Sequence, residues 1–339
     1  MDIRPVCPVC GDCNWSDFST HKFTRQHDIK DPYFANRRDA LFDVWFDDAT
    51  EVTLRGAYCE LCGFITYLPR PTTGDISNKY AWLAKHEGKN APVRSDFVRA
   101  LEDRRSNRLR RNTSRFAPSP KTVLDFGGGG GQLMRSFLSA GSDCFLVDYS
   151  ASSVQGVAKL GDTLEDVEKG LEFDLIICSH VLEHLSDPAS TLRGLRKLAE
   201  IGSVIYCEVP FELGRGLMLE KDPVTHINFF TKESLETLMA SGGWRPLCAR
   251  YFSTTYGEHA IRACYVIAEA SDRDFLRSYV RTTPLPWIRH SRKQKIRANL
   301  VALNVKIHFV LSALIVTLQI LLSKLSGQKG RTSNKNGPR

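Results

Sequence analysis

Two short turns, Cys7-Pro-Val-Cys10-Gly11 and Cys59-Glu-Leu-Cys62-Gly63, set thiols in pairs at the spacing with which a metal is shared. The glycine after each pair lets backbone amides turn towards the sulfurs, and two such turns complete a tetrahedral zinc site. Four thiolates leave no open position, so zinc on Cys7, Cys10, Cys59 and Cys62 is expected to hold structure and perform no chemistry. The competing reading is a redox pair. A redox pair opens a helix after a strand, whereas Cys7 is followed closely by Gly11 and Cys13. Cys13 reads as a bystander, with His21 and His27 as alternative ligands.

The second chemical feature is Val123-Leu-Asp-Phe followed by five glycines, Gly127 to Gly131. Glycines there allow a tight turn and close approach of backbone to a ligand, with a helix N-terminus behind them. A phosphate-cradling loop would continue with Gly-Lys-Ser/Thr, but Gln132 stands where that lysine belongs. A dinucleotide loop shares the glycines and an acidic residue about 20 positions on. Against it, Asp125 ends the strand, where a carboxylate repels a pyrophosphate but pairs with an ammonium. Asp148 ends the next strand, placed to grip a ribose diol. The two carboxylates suit S-adenosylmethionine, which has no phosphate and two positive centres.

Val-Leu-Asp-x-Gly-x-Gly-x-Gly, Phe145-Leu-Val-Asp148-Tyr-Ser, and the run from Phe173 through Cys178-Ser-His-Val-Leu-Glu-His184 to Pro188 resemble three consecutive motifs of class I SAM-dependent methyltransferases. The resemblance spans about residues 120–270. It implies a Rossmann-like sheet with helices on both faces, and S-adenosylmethionine on Asp125, Gly127, Gly129, Gly131, Asp148 and Ser179, with Asp162 at the adenine edge. Val181-Leu-Glu-His184-Leu resembles a signature of small-molecule methyltransferases, which places His180 and His184 near the transferred methyl; packing or helix capping is the alternative role for His184. In some relatives the Glu-His pair binds a divalent cation, for which one Glu and one His are too few. The stretch Asp222-Pro-Val-Thr-His226 to Leu235 resembles the segment that roofs the acceptor pocket. His226 is therefore the leading general base, since an imidazole accepts a proton at neutral pH, with structural hydrogen bonding as the alternative. The paired cysteines before this core also resemble the zinc module of bacterial sugar C-methyltransferases. Those enzymes carry a Tyr and a Glu just before the histidine, where this chain has Pro223 and Thr225, so the acceptor does not carry over.

These residues must be positioned by an α/β framework. The 339 residues are 42% apolar and 25% charged, which excludes a disordered or collagen-like chain. Residues 1–75 read as a loop-rich zinc-binding module and 76–118 as a helical connector. That connector carries Arg94, Arg99, Arg104, Arg105, Arg108, Arg110, Arg111 and Arg115 among Asp96, Glu102 and Asp103. Residues 119–272 alternate apolar runs with amphipathic stretches, the pattern of a largely parallel sheet. Strands are expected at Thr122–Phe126, Cys144–Asp148, Phe173–Ser179, Ser203–Val209, Arg245–Tyr251 and Ala263–Ala268. Helices are expected at Gly131–Ala140 and Ala151–Lys159, one started by Asp187 and Pro188, and one running from Thr231 to Gly242–Gly243. No third strand of the family stands out in the polar stretch Lys159–Glu172.

The net charge of +8 belongs to the tail, because residues 277–339 hold 13 Lys and Arg and no acid. The first 276 residues carry 33 basic against 38 acidic side chains, which points away from nucleic acid. Within 273–339, an apolar helix at about 299–325 is flanked by Trp287-Ile-Arg-His-Ser-Arg-Lys-Gln-Lys-Ile-Arg297 and by Lys324, Lys329 and Arg331. Asn304, His308, Ser312, Gln319 and Ser323 form a thin polar stripe on it. A helix at or in a membrane interface fits, as does a core or dimer helix. Residues 326–339 are expected to be disordered. The start Met1-Asp2-Ile3-Arg4-Pro5 lacks a secretory signal and the remaining cysteines sit singly in apolar runs, so a reducing, cytoplasmic setting is expected. The function expected is methyl transfer to a small-molecule, glycan or lipid-linked acceptor. The alternatives are an RNA methyltransferase with a zinc-ribbon recognition module and a non-catalytic SAM-binding module.

Overall fold

The computed structural model describes residues 5–86, 95–150, 153–213, 222–256, 259–273, 275–279 and 303–322. Near the N-terminus, β1 (Trp15–Thr24), β2 (Glu51–Cys59) and β3 (Ile65–Leu68) pair antiparallel. Between β1 and β2 lies α1 (Pro32–Ala40), which starts where Asp31 accepts from the Tyr33 amide and Pro32 needs no partner. Then follow α2 (Thr73–His86) and α3 (Asp96–Thr113), the latter capped by the Ser95 side chain. Residues 1–75 are thus mostly regular structure and not the loop-rich segment expected. β2 alternates buried and exposed residues along Glu-Val-Thr-Leu-Arg; it pairs with β1 across the intervening α1 and with β3 through a local hairpin whose turn is the second cysteine pair, Tyr58 standing opposite Ile65.

A second sheet begins with β4 (Thr122–Phe126), β5 (Asp143–Val147), β6 (Val157–Gly161), β7 (Leu175–Ser179) and β8 (Val204–Pro210), all parallel. The chain then adds β9 (Asn228–Phe229) to the first sheet, beside β3. It returns as β10 (Trp244–Tyr256) and β11 (His259–Ala270), which extend the second sheet in the order β10-β11-β8-β7-β4-β5-β6. β7 pairs with β4 on the side away from β5, so the strand order reverses between β4 and β7. The crevice beyond the carboxyl ends of those two strands is where open α/β sheets bind ligands.

Helices cover both faces. Leu124, Ile176 and Ile205 share one core with Leu192 and Leu195 of α5 (Pro188–Arg196) and with Leu235 and Leu238 of α6 (Lys232–Ser241). Val123, Leu175, Ile177 and Val204 share another with Leu109 of α3 and Phe137 of α4 (Arg135–Leu138). The starts of α5, where Asp187 accepts from the Ser190 amide, and of α6, where Thr231 caps, are as expected. α7 (Leu276–Tyr279) and α8 (Leu303–Leu322) follow.

Two local expectations are corrected. Over Gly131–Ala140 the chain forms a 3-10 turn at Gln132–Met134 and then the short α4. In place of a helix over Ala151–Lys159, residues 153–156 lead through a turn into β6 (Val157–Gly161), the missing third strand, and residues 151–152 lie outside those described. β6 is an edge strand in which only Val157 is buried, so its polar sequence hides it. The expected helix at 299–325 is seen as α8. Arg94, the basic segment 287–297, Ser323, Lys324, Lys329, Arg331 and residues 326–339 lie outside the described residues.

Candidate active site

At the end of β4, Asp125 is fully buried and, among the described residues, neither carboxylate oxygen has a hydrogen-bond partner. Burial, only partly offset by Arg105, pushes its acid up to about 7. The glycine loop wraps directly over it: a Cβ on Gly128 would lie 2.0 Å from Asp125 Oδ2. Gly127 has φ +69°, and a side chain there would collide with Val181. Asp148 at the end of β5 accepts from the Gly129 amide at 2.9 Å and the Ser150 amide at 2.7 Å, which ties it to the same loop. Gly131 opens the 3-10 turn that follows. Asp162 sits past β6, exposed, with its carboxylate on Lys159 at 2.5 Å. Asp125, Asp148 and the glycines are thus gathered at one crevice, and Asp162 at its rim.

Across the crevice, Ser179 ends β7 and accepts from Arg105 of α3 at 2.7 Å. His180 follows with φ 59°, a left-handed backbone that is uncommon outside glycine. Its ring bridges two buried carboxylates, with Nε2 3.1 Å from Glu208 and Nδ1 3.3 Å from Glu183. Burial opposes charge on His180, yet these two carboxylates outweigh it and raise its pKa. Glu208 also accepts from Arg105 at 2.8 Å and from the Tyr206 hydroxyl at 2.6 Å. Despite burial, Arg105 and His180 hold it ionised.

His184 and His226 meet edge to face, their centroids 4.8 Å apart. His184 Nδ1 donates to the Thr225 carbonyl at 2.7 Å, so its Nε2 carries no proton, and burial pushes its pKa down to about 4. His226 Nδ1 lies 3.0 Å from both oxygens of Glu212. Burial disfavours its charge, but Glu212 wins and raises it to about 9. Donor atoms of Glu183, His184 and His226 lie within 4.8 Å of one another, with the Glu183 carboxylate also facing His180 Nδ1 at 3.3 Å. This two-histidine, one-carboxylate set is chemically able to hold a divalent cation.

The four cysteines converge as well. Their sulfurs all lie within 4.8 Å of one another, with Cys7 to Cys62 at 3.6 Å and Cys10 to Cys59 at 3.5 Å. A tetrahedral zinc with bonds of about 2.3 Å has sulfur–sulfur edges of about 3.8 Å, so the spacing fits. Four thiolates this close, three of them buried, repel one another, so the quartet calls for a cation. Cys13 is exposed; His21 turns to Ser19 and His27 to Asp39, and neither joins the cluster.

The "Methyltransferase domain" family model matches residues 101–249, a span that holds every strand-end residue just described. Over that span, less than half of its length, the chain is similar to methyltransferase domains. Its curated relatives include the ubiquinone biosynthesis O-methyltransferases of Aromatoleum aromaticum and Pectobacterium atrosepticum. Each is 33% identical over 100 residues and covers 25% of this chain; the match takes in 42% of the first relative and 41% of the second. The chain therefore spans about two fifths of the length of these relatives. Among solved structures it is similar to the Burkholderia thailandensis 1,6-didemethyltoxoflavin-N1-methyltransferase, with a TM-score of 0.44 and 16% identity over 65% of this chain and 96% of that one.

Several residues that shape the methyltransferase domain were not legible beforehand. Arg105 hides in an arginine-rich helix, and Glu208 and Glu212 lie in or just after an apolar strand. The strongest omission is the first sheet itself. Thr66 donates to the Ile227 carbonyl at 2.8 Å, Tyr67 to the Pro223 carbonyl at 2.6 Å, and buried Lys79 to the Val224 carbonyl at 3.1 Å. Arg70 donates to Asn228 at 2.9 Å and to the Ser186 carbonyl at 2.9 Å. The segment around His226 is therefore held by the cysteine-bearing module. The only advance signal was a buried-type run, Phe64-Ile-Thr-Tyr-Leu68, directly after the second cysteine pair.

Proposed function

We propose that this chain transfers the methyl group of S-adenosylmethionine to a hydroxyl of a small-molecule or lipid-linked acceptor. The observation that carries the reading is Asp125, a buried carboxylate with no hydrogen-bond partner under a glycine loop. Such a group calls for a cationic ligand. Asp125 would receive the ammonium of the methionine moiety, Gly127 and Gly129 line it, and Asp148 uses its remaining lone pairs for the ribose diol. Oxygen methylation follows the relatives named O-methyltransferases. The acceptor hydroxyl gives its proton to Nε2 of the neutral form of His226, whose Nδ1–H is oriented by Glu212; with its pKa raised to about 9 this form is the minority at neutral pH, so transfer by this base should speed up as pH rises towards 9. The oxygen–methyl bond forms as the sulfur–methyl bond breaks, and S-adenosylhomocysteine leaves. His180, with both ring nitrogens on carboxylates, is a cationic tie between β7 and β8 in this reading.

The Glu183, His184 and His226 cluster favours a second reading, in which a divalent cation on these residues orients the acceptor. The four cysteines are assigned a structural zinc, and the tail a membrane contact at the cytoplasmic face. Calorimetry with S-adenosylhomocysteine should show binding that is lost in Asp125→Ala. Radiolabelled S-adenosylmethionine with cell extract should label the lipid or small-molecule fraction; label in RNA alone overturns the acceptor class. Transfer that persists after chelation of a loosely held cation favours the His226–Glu212 base, and loss restored by a divalent metal favours the cation.

A further inference from the structure

α8 is turned inside out for a soluble protein. Nine of its large apolar side chains, among them Ile307, Leu311, Leu314 and Leu318, are exposed. Its protein-facing side carries Val305, His308, Ser312 and Val316, with Ser312 buried and His308 half-buried, while Asn304 and Gln319 are exposed. Asn304 accepts from Ser253 of β10 at 3.0 Å. An amphipathic helix on a soluble domain does the reverse, burying its apolar side. This orientation is stable only where the outside is apolar. At 20 residues α8 is about 30 Å long, yet it lies along the domain from Asn304 to Val316, which suits a helix in the interface plane.

Beneath α8 lies a cavity of about 530 Å³. Its wall on α3 presents Arg104, Arg105, Arg108, Arg110 and Arg111, and the α8 wall presents His308 and Ser312; no acidic residue lines it. His308 Nδ1 is buried there and has no hydrogen-bond partner. Arg108 is used by Thr254 and the Phe252 ring, and Arg105 by Glu208. Among the described residues no carboxylate pairs with Arg104, Arg110 or Arg111. Glu102 and Asp103 of the same helix are instead taken by Arg135.

We infer that this cavity holds the phosphate headgroup of an anionic membrane lipid while the exposed face of α8 lies among its acyl chains. The juxtaposition decides between occupants. A polyanion such as RNA would meet the arginines but leave nine apolar side chains in water. A second copy docked through α8 would cover those side chains but bring one arginine cavity against another. An anionic lipid satisfies both surfaces at once. The inference rests on the membrane reading of the tail, and the test separates the two.

The full chain is floated with vesicles of phosphatidylcholine alone and with added phosphatidylglycerol. Wild type is expected to bind the anionic vesicles at least about tenfold more tightly. Arg104→Gln with Arg111→Gln should lose that preference while retaining its binding to neutral vesicles. Leu314→Glu should lose both. Unchanged melting temperatures show that the variants fold. Equal binding to both vesicle types, or a preference that survives the arginine changes, overturns the headgroup site. Undiminished binding by Leu314→Glu overturns the membrane reading beneath it. A dimer that Leu314→Glu splits, without vesicle binding, assigns the face to a second copy and overturns both. Inorganic phosphate binding at the arginines without any vesicle preference assigns the cavity to a free anion and overturns the lipid.

Discussion

The cysteine cluster and the glycine-loop crevice are both built to face positive charge, yet they are finished to different degrees. The cluster is closed: four sulfurs from two turns lie within 4.8 Å of one another and leave no position for anything but one ion. The crevice is open: Asp125 offers two buried oxygens that nothing among the described residues satisfies. A site whose demands are met by its own ligands holds structure. Unmet demand at the ends of rigid strands marks a place where a ligand completes the structure.

The sharpest way to break this contrast is Cys59→Ser. Metal binding at such a site is folding energy, so the loss is expected to be on the order of 5 kcal/mol or more. Elemental analysis should fall from one zinc per chain towards none, with the thermal transition of the first sheet lost. Retention of a full melting transition without metal would refute the structural role.

Asp125→Asn should do the opposite to stability. The folded acid sits near pH 7, well above its ordinary 3.8, so its ionisation costs stability increasingly as pH rises through that interval. Removing the charge should therefore raise the melting temperature at pH 7 by several degrees. The same change should weaken S-adenosylhomocysteine binding about 100-fold, because a buried charge pair is lost. A variant both less stable and equally tight in binding contradicts the assignment.

The wild type should show the corresponding pH dependence. Between pH 5.5 and 7 a growing fraction of Asp125 is ionised, so affinity for the cationic ligand should rise by up to about tenfold per pH unit. Calorimetry on Asp125→Asn should give a flat profile over the same range.

The smallest expected effect tests the link between the two regions. Tyr67→Phe leaves the Pro223 carbonyl without its buried donor, a loss of about 1–3 kcal/mol. Methyl transfer should slow several-fold while S-adenosylhomocysteine affinity stays unchanged, since Tyr67 braces the His226 segment and not the glycine loop. Equal loss of both would mean that the first sheet supports the whole domain indiscriminately.

Much of the crevice was readable in the chain. Asp125 and Asp148 end apolar strand runs, and glycines follow where the backbone must take positive φ, so local physics places them. The cysteine quartet was readable for the same reason, since each CxxC-Gly turn is a local object. β6 was not, because an edge strand buries only Val157 and its remaining residues obey solvent, not a core. The partners of the histidines were equally hidden. Glu212 is 14 residues from His226 in the chain and Glu208 is 28 from His180, and nothing in their neighbours marks them.

By itself the sequence determined what is local: two metal-type turns, a glycine loop behind a strand, six of the seven strands of the second sheet, and a basic tail around an apolar helix. Tertiary structure decided what depends on distant contacts. It joined β3 to β9, so that the cysteine module braces His226, and it set Arg105 between Ser179 and Glu208. It also turned His308 and Ser312 of α8 inward over the arginines of α3. The apolar periodicity of a helix states that it has two faces, and only its packing partners state which face looks out.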